Sequence, residues 1–245
     1  MITIVIIIFN YNQNIGYKDF LTIYNWSLTF NSKIIFISDF KIKNYKNILH
    51  HYILNNNEEF NDILENIKIN HNFIFYYSGH ANNNGIILPN ESIYSFSLLK
   101  SKIINMNKNI INPHIFIIFD CCHAPSFFLP FKWNSNFEFI NDCEFTKTKI
   151  LLISSTNENE KTYWSNNGSI FSRILFSTLR YIYKENKSIS FHYLIKIMNQ
   201  QLYKLNIKVN LYSSHFIEPY LWSWICSNYF KFIEYSNKLI IQRFD

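Results

Sequence analysis

Two short strings place chemistry at defined points of the chain: Tyr76-Tyr77-Ser78-Gly79-His80 and Asp120-Cys121-Cys122-His123. Each closes an apolar run that reads as a buried strand, so each sets polar groups where a strand stops. A thiol is a useful nucleophile only as thiolate and needs a base beside it. His80 supplies a base and Cys122 a nucleophile, a pair that opens peptide bonds without any cofactor. Residues two apart on a strand share a face, so Ser78 points with His80 and Asp120 with Cys122. A carboxylate beside the dyad favours a cationic side chain, lysine or arginine, before the scissile bond. The amides of Ala81 and Cys122 are candidates for an oxyanion hole.

Plainer readings compete with this one. A single cysteine after a strand is more often a small buried hydrophobe than a nucleophile, and a single histidine is usually structural. It is the joint occurrence, with Gly79 beside His80 and Asp120 before the cysteines, that favours chemistry. A zinc site from Cys121, Cys122, His123 and His80 is the other sharp option. Adjacent cysteines do not match the gaps usual between zinc ligands, so no metal and no other cofactor is expected.

The elements that must carry these residues follow from periodicity. Apolar runs at 2–9, 33–37, 72–77, 115–119, 150–154 and 209–212 read as strands. Helical spacing marks 18–29, 58–69, 95–105, 169–183 and 191–205. Strands alternating with helices predict an α/β three-layer sandwich, a mostly parallel sheet of about six strands covered on both faces. Ligands of such sheets bind beyond the carboxyl ends of the strands, where His80 and Cys122 fall. Residues 85–88 suggest a small hairpin arm, and 124–148 lack a sustained period and read as a long loop. Trp222-Ser223-Trp224 reads as core in preference to a substrate wall.

Composition bounds the rest. The 245 residues are 48% hydrophobic with Gly 4 and Pro 5, which suits one domain without long linkers. A net charge of +6 from scattered lysines offers no basic stripe, so nucleic acid is not an expected partner. Cys121, Cys122, Cys143 and Cys226 do not form a disulfide framework, because neighbouring cysteines seldom bridge. A reducing compartment, cytoplasmic or nuclear, is expected. The apolar opening lacks the basic flank and cleavage site of a signal sequence and is too short to span a bilayer. No membrane partner is expected.

The two strings together resemble the caspase and metacaspase superfamily of cysteine endopeptidases. Tyr77-Ser78-Gly79-His80 resembles its Tyr-Ser-Gly-His-Gly element, and Asp120-Cys121-Cys122-His123-Ala124 the metacaspase Asp-x-Cys-His-Ser element. Ile153-Ser154-Ser155-Thr156 with Glu160, Gly168-Ser169-Ile170-Phe171-Ser172 and Leu211-Tyr212-Ser213-Ser214 also look like family segments. The resemblance implies one caspase-like domain over 1–245, with 1–123 large-subunit-like, 124–148 a linker loop and 149–245 small-subunit-like. It implies Cys122 as nucleophile, His80 as base, and Ser78 and Asp120 lining the primary specificity pocket, with cleavage after Arg or Lys. Cys121, sharing no face with Asp120, would point into the core. Partners would be proteins or peptides with basic residues; homodimerisation stays open, since the edge of the last strand would be free or paired.

Departures accompany the resemblance. Ala81 replaces the glycine that usually follows the histidine, which implies crowding and costly torsions there. Ala124-Pro125 replaces Ser-Gly, and an acidic pocket residue of the first helix has no evident counterpart, Ser27 being the best-aligned residue. Few aspartates lie in 124–141, which implies calcium independence or little activity. A first strand beginning at Met1 implies no prodomain. Lys132, Lys147 and Lys149 are candidate processing sites in the linker, or ordinary exposed lysines. The second reading is therefore a weakened or inactive pseudo-peptidase that binds peptides or a partner.

Overall fold

Isoleucine and valine fill the first strand, β1 (Ile2–Ile8), and every residue from Thr3 onward is buried. Alternate side chains enter two different cores: Ile4, Ile6 and Ile8 face one, Val5, Ile7 and Phe9 the other. Such a strand must lie inside a sheet with both faces covered. In this computed structural model the described residues are 2–9, 13–54, 57–110, 113–127, 129–133, 137–140, 148–157, 160–184, 191–205 and 207–215.

In chain order the elements are β1, α1 (Gln13–Ser27), β2 (Ser32–Ser38), β3 (Ile48–Ile53), α2 (Asn57–Asn66), β4 (Phe73–Ser78), β5 (Ala81–Asn82), β6 (Gly85–Ile87) and β7 (Ile93–Ser95). There follow α3 (Phe96–Asn105), β8 (His114–Asp120), β9 (Phe131–Trp133), β10 (Phe137–Phe139), β11 (Lys149–Ser154), β12 (Trp164–Ser165), β13 (Gly168–Ser169), α4 (Ile170–Lys184), α5 (Phe191–Leu202) and β14 (Asn210–Ser213). Nine of the fourteen described strands form one sheet, in the order β10-β9-β14-β11-β8-β4-β1-β2-β3, while β5-β6-β7 make a small three-stranded arm and β12-β13 a hairpin. The run from β11 to β3 is parallel throughout, while β14, β9 and β10 add antiparallel partners.

Helices cover both faces, as the strand–helix alternation requires. Phe20, Ile23 and Trp26 of α1, Phe171, Leu175 and Leu179 of α4 and Leu194, Met198 and Leu202 of α5 pack on one face. Phe60 and Leu64 of α2 and Leu99 and Ile103 of α3 pack on the other. Helix α3 starts where Ser95 caps it, its hydroxyl accepting from the Leu98 amide. No described helix is long and apolar enough to cross a membrane.

The sheet is larger than the expected six strands, and the additions have physical reasons. Strand β3 is an edge strand of Ile48-Leu49-His50-His51-Tyr52-Ile53 with polar, partly exposed positions, so no apolar run marks it. The expected loop over 124–148 contains β9 and β10, paired antiparallel with Glu138 opposite Lys132. Strand β9 also pairs with β14, so the outer edge of β14 is occupied and not free. Lys132 and Lys149 accordingly lie in strands and not in a loop. Lys147, Cys143, Cys226 and Trp222-Ser223-Trp224 lie outside the described residues.

Candidate active site

Parallel pairing of β4 with β8 sets Ser78 opposite Asp120. His80 and Cys122 each stand two residues beyond that matched pair, so the expected base and nucleophile leave the sheet side by side. The Gly79 amide donates to the Asp120 carbonyl at 3.4 Å and continues the pairing past the strand ends. At Gly79 a Cβ would meet the Tyr77 hydroxyl at 2.6 Å, so glycine leaves that hydroxyl its place. That hydroxyl donates to the His80 carbonyl (2.6 Å), which also accepts from the Ile87 amide (2.9 Å). The backbone of His80 is thus held from the strand and from the β5–β6–β7 arm.

The imidazole of His80 is half-buried, and the Trp164 ring of β12 packs edge-on against it, centroids 5.3 Å apart. Burial lowers the His80 pKa below the ordinary 6.5, so the ring is neutral at neutral pH. Cys122 is partly exposed, whereas Cys121 is fully buried among Phe119, Ala124 and Phe127. Burial pushes the Cys121 thiol well above its usual range and leaves it unreactive. With one thiol in the core and its neighbour outside, Cys121, Cys122, His123 and His80 do not gather around one point, and no metal-holding cluster occurs among the described residues. Ala81 is not among the described residues with positive φ, so alanine carries no glycine-torsion penalty there.

Ser78 and Asp120 are buried, and they belong to a larger polar cluster. Its second carboxylate is Asp19, on α1 and 1% exposed. Ser78 donates to Asp19 Oδ2 at 2.8 Å, and the Ser169 amide donates to Oδ1 at 2.7 Å. Ser172 donates to Asp120 Oδ2, Thr162 reaches Oδ1 at 3.5 Å, and Tyr76 shares a hydrogen bond of 2.8 Å with Ser172. Gly168 lets this close: its φ is +92°, and any Cβ would run into the Asp19 carboxylate. Ser169 caps α4, accepting from the Ser172 amide at 3.3 Å, so the positive end of that helix faces the two acids. The segment Gly168-Ser169-Ile170-Phe171-Ser172 thereby has a structural role at nearly every position.

The acids do not behave as ordinary surface carboxyls. Burial, then repulsion from Asp120, pushes Asp19 up to about 7, against hydrogen bonds from Ser169 and Ser78 and the more distant Arg173. Burial likewise pushes Asp120 up to about 6, against bonds from Ser169, Ser172 and Ser155. The two titrate as a pair. Neither makes an ion pair among the described residues. Asp19 corrects the expectation that the first helix contributes no acid. Ser27, the residue aligned there, instead donates to the Tyr24 carbonyl at the helix end and is remote from this cluster in role. A signal existed: Asp19 lies four residues before Ile23, on the buried stripe of α1, where a carboxylate has no ordinary reason to be.

Comparison with known proteins bears on the same elements. The profile of the peptidase C14 caspase domain matches residues 29–217. No curated protein matched the chain. Caspase-1 from Spodoptera frugiperda superposes with a TM-score of 0.59 at 11% identity, covering 89% of this chain and 88% of that one. A Geobacter sulfurreducens protein superposes with a TM-score of 0.56, also at 11% identity, covering 89% and 96%. At such identities the superpositions speak for the fold alone, and the profile speaks for ancestry. The profile spans most of the chain, and the chain belongs to the caspase domain family of cysteine peptidases.

Proposed function

We propose that the chain is a cysteine endopeptidase of metacaspase type that cleaves peptide bonds after Arg or Lys. Cys122 attacks the scissile carbonyl, His80 takes its proton and later returns it to the leaving amine. The amides of Cys122 and Ala81 receive the oxyanion. Two features support that assignment. The Cys122 amide has no hydrogen-bond partner among the described residues. The Ile87 amide bonds the His80 carbonyl, so in the antiparallel alternation Ala81, opposite Ile86, faces its own amide away from β6.

The single observation that carries the specificity is the pair Asp19 and Asp120, two carboxylates 1% and 0% exposed with no cation in ion-pair contact among the described residues. Buried charge without a partner is costly, and a pair of this kind is relieved by a guanidinium or ammonium brought in by the substrate. An acidic side chain would meet repulsion in the same place. The closure of the pair also favours a second reading, a relative that holds peptides without cutting. For cleavage, the β12–β13 hairpin that lies over Asp19 and His80 must yield to the incoming side chain.

Hydrolysis of fluorogenic peptides with Arg, Lys or Asp before the reporter, with and without calcium and with Cys122→Ala as control, tests both readings. Turnover after Arg or Lys that disappears in Cys122→Ala is the expected result. Turnover after Asp would overturn the specificity. Binding of the basic peptides by folded protein, with no turnover under any condition, would establish the second reading.

A further inference from the structure

We propose that Thr156 is a positioning residue for the nucleophile, the tip of a clamp that fixes the backbone on both sides of Cys122 while leaving the Cys122 amide open. This rests on the reading of Cys122 as the reactive thiol. The Thr156 hydroxyl donates to the Cys121 carbonyl at 2.9 Å and accepts from the Ala124 amide at 3.1 Å. One buried oxygen therefore grips the chain immediately before Cys122 and again two residues after it. The Ser155 hydroxyl reaches the same Cys121 carbonyl at 3.4 Å.

A second grip falls on His123, whose amide donates to the Glu160 carbonyl at 2.8 Å. His123 has φ of 51°, a left-handed conformation that a residue with a Cβ keeps only where its surroundings hold it. The clamp itself is anchored to the sheet. The Glu160 carboxylate accepts from the Asn157 amide and from the Asn157 side chain, each at 2.9 Å. The Asn157 side-chain oxygen in turn accepts from Tyr212 of β14 at 3.1 Å and Lys132 of β9 at 3.2 Å. The Thr156 carbonyl accepts from Ser154 at 2.8 Å, at the end of β11. A continuous line of bonds thus runs from three strands to the turn that carries the thiol.

The selection of groups is what gives the clamp a catalytic sense. The Cys121 carbonyl, the His123 amide and the Ala124 amide are all engaged, and the amide of Cys122 is not, among the described residues. Rotating that peptide plane would move an oxyanion donor and the thiol together, and donors contribute only when they are already aimed at the developing charge.

Thr156→Val keeps the shape and removes the hydroxyl, and Thr156→Ser returns it. In Thr156→Val, kcat on an Arg-reporter peptide is expected to fall on the order of 100-fold with KM unchanged. The pH midpoint for alkylation of Cys122 by iodoacetamide, read by intact mass against Cys122→Ala, is expected to shift. Thr156→Ser is expected to recover both. A Thr156→Val variant with wild-type kcat and midpoint, or a Thr156→Ser variant as impaired as Thr156→Val, overturns the proposal. Where the wild type cleaves no peptide, the peptidase reading fails, and the alkylation midpoint alone decides the clamp, because it follows the placement of the thiol. Should melting curves show Thr156→Val unfolded, Glu160→Gln, which loosens the hold on Asn157, must shift kcat and midpoint in the same direction or the proposal falls.

Discussion

At Asp19 a single side chain links stability to the proposed function. Its carboxyl is held above the usual range by burial and by Asp120, so the folded chain binds the proton more tightly than the unfolded one. The stabilisation is full below about pH 4, the unfolded carboxylate range, and is lost as pH rises through about 7. Asp19→Asn, which cannot ionise, is therefore expected to raise the melting temperature at pH 8 by at least about 3 °C, while turnover after Arg falls steeply. Calorimetry and peptide assays on the same preparation check both halves. A loss of stability together with a loss of activity would contradict the account. The catalytic pH profile is expected to separate the same groups: as pH drops through 7 and 6 the acid pair takes up a proton, and KM for basic peptides should rise. His80, lowered by its burial, keeps kcat level until more acid pH. Steady-state profiles with kcat and KM resolved distinguish this from a single fall in kcat. The placement of His80, Cys122, Ser78 and Asp120 at neighbouring strand ends was legible because they close apolar runs. Asp19 was not, because helical periodicity is read from apolar positions and a lone acid on the buried face is passed over.

At the level of elements, the hairpin of β12 and β13 joins the two halves of the site: Trp164 packs on His80, and Gly168-Ser169 closes on Asp19. Gly168→Ala is expected to destabilise by about 1–3 kcal/mol, because its left-handed φ and the nearby carboxylate both resist a Cβ. It should also weaken turnover of Arg peptides more than it changes alkylation of Cys122, which paired peptide and iodoacetamide assays would show. Neither β12 nor β13 was legible, since two-residue strands leave no period to detect. The central strands were legible as continuous apolar runs, with ends shifted by a residue or two. Strands β9 and β10 left a signal that a search for long runs misses: Phe131-Lys132-Trp133 and Phe137-Glu138-Phe139 alternate around Asn134-Ser135-Asn136, the pattern of a short hairpin.

For the molecule as a whole, the sheet extends beyond the strand at which the sequence suggested a free or pairing edge. Strand β9 occupies the outer side of β14, and β10 lies outside β9. Among the described residues β9 takes the outer side of β14, so light scattering after gel filtration is expected to give the mass of one chain, 29.6 kDa. A stable dimer would show that another surface pairs. The three-layer order was readable from the alternation of elements, because a parallel sheet leaves few alternatives. Its final strand count was not, because the extra strands are short, polar or at an edge.

The sheet order also means that the strands before and after the β10–β11 connection are dovetailed. Strands β14 and β11, which follow that connection, lie between β9 and β8, which precede it. Each later strand is bonded to an earlier one on its outer side, β14 to β9 and β11 to β8. A single nick between β10 and β11 would therefore sever the chain without parting the body. Two fragments on a denaturing gel should travel as one species in native gel filtration, still holding Lys132 against Asn157 behind the Cys122 turn.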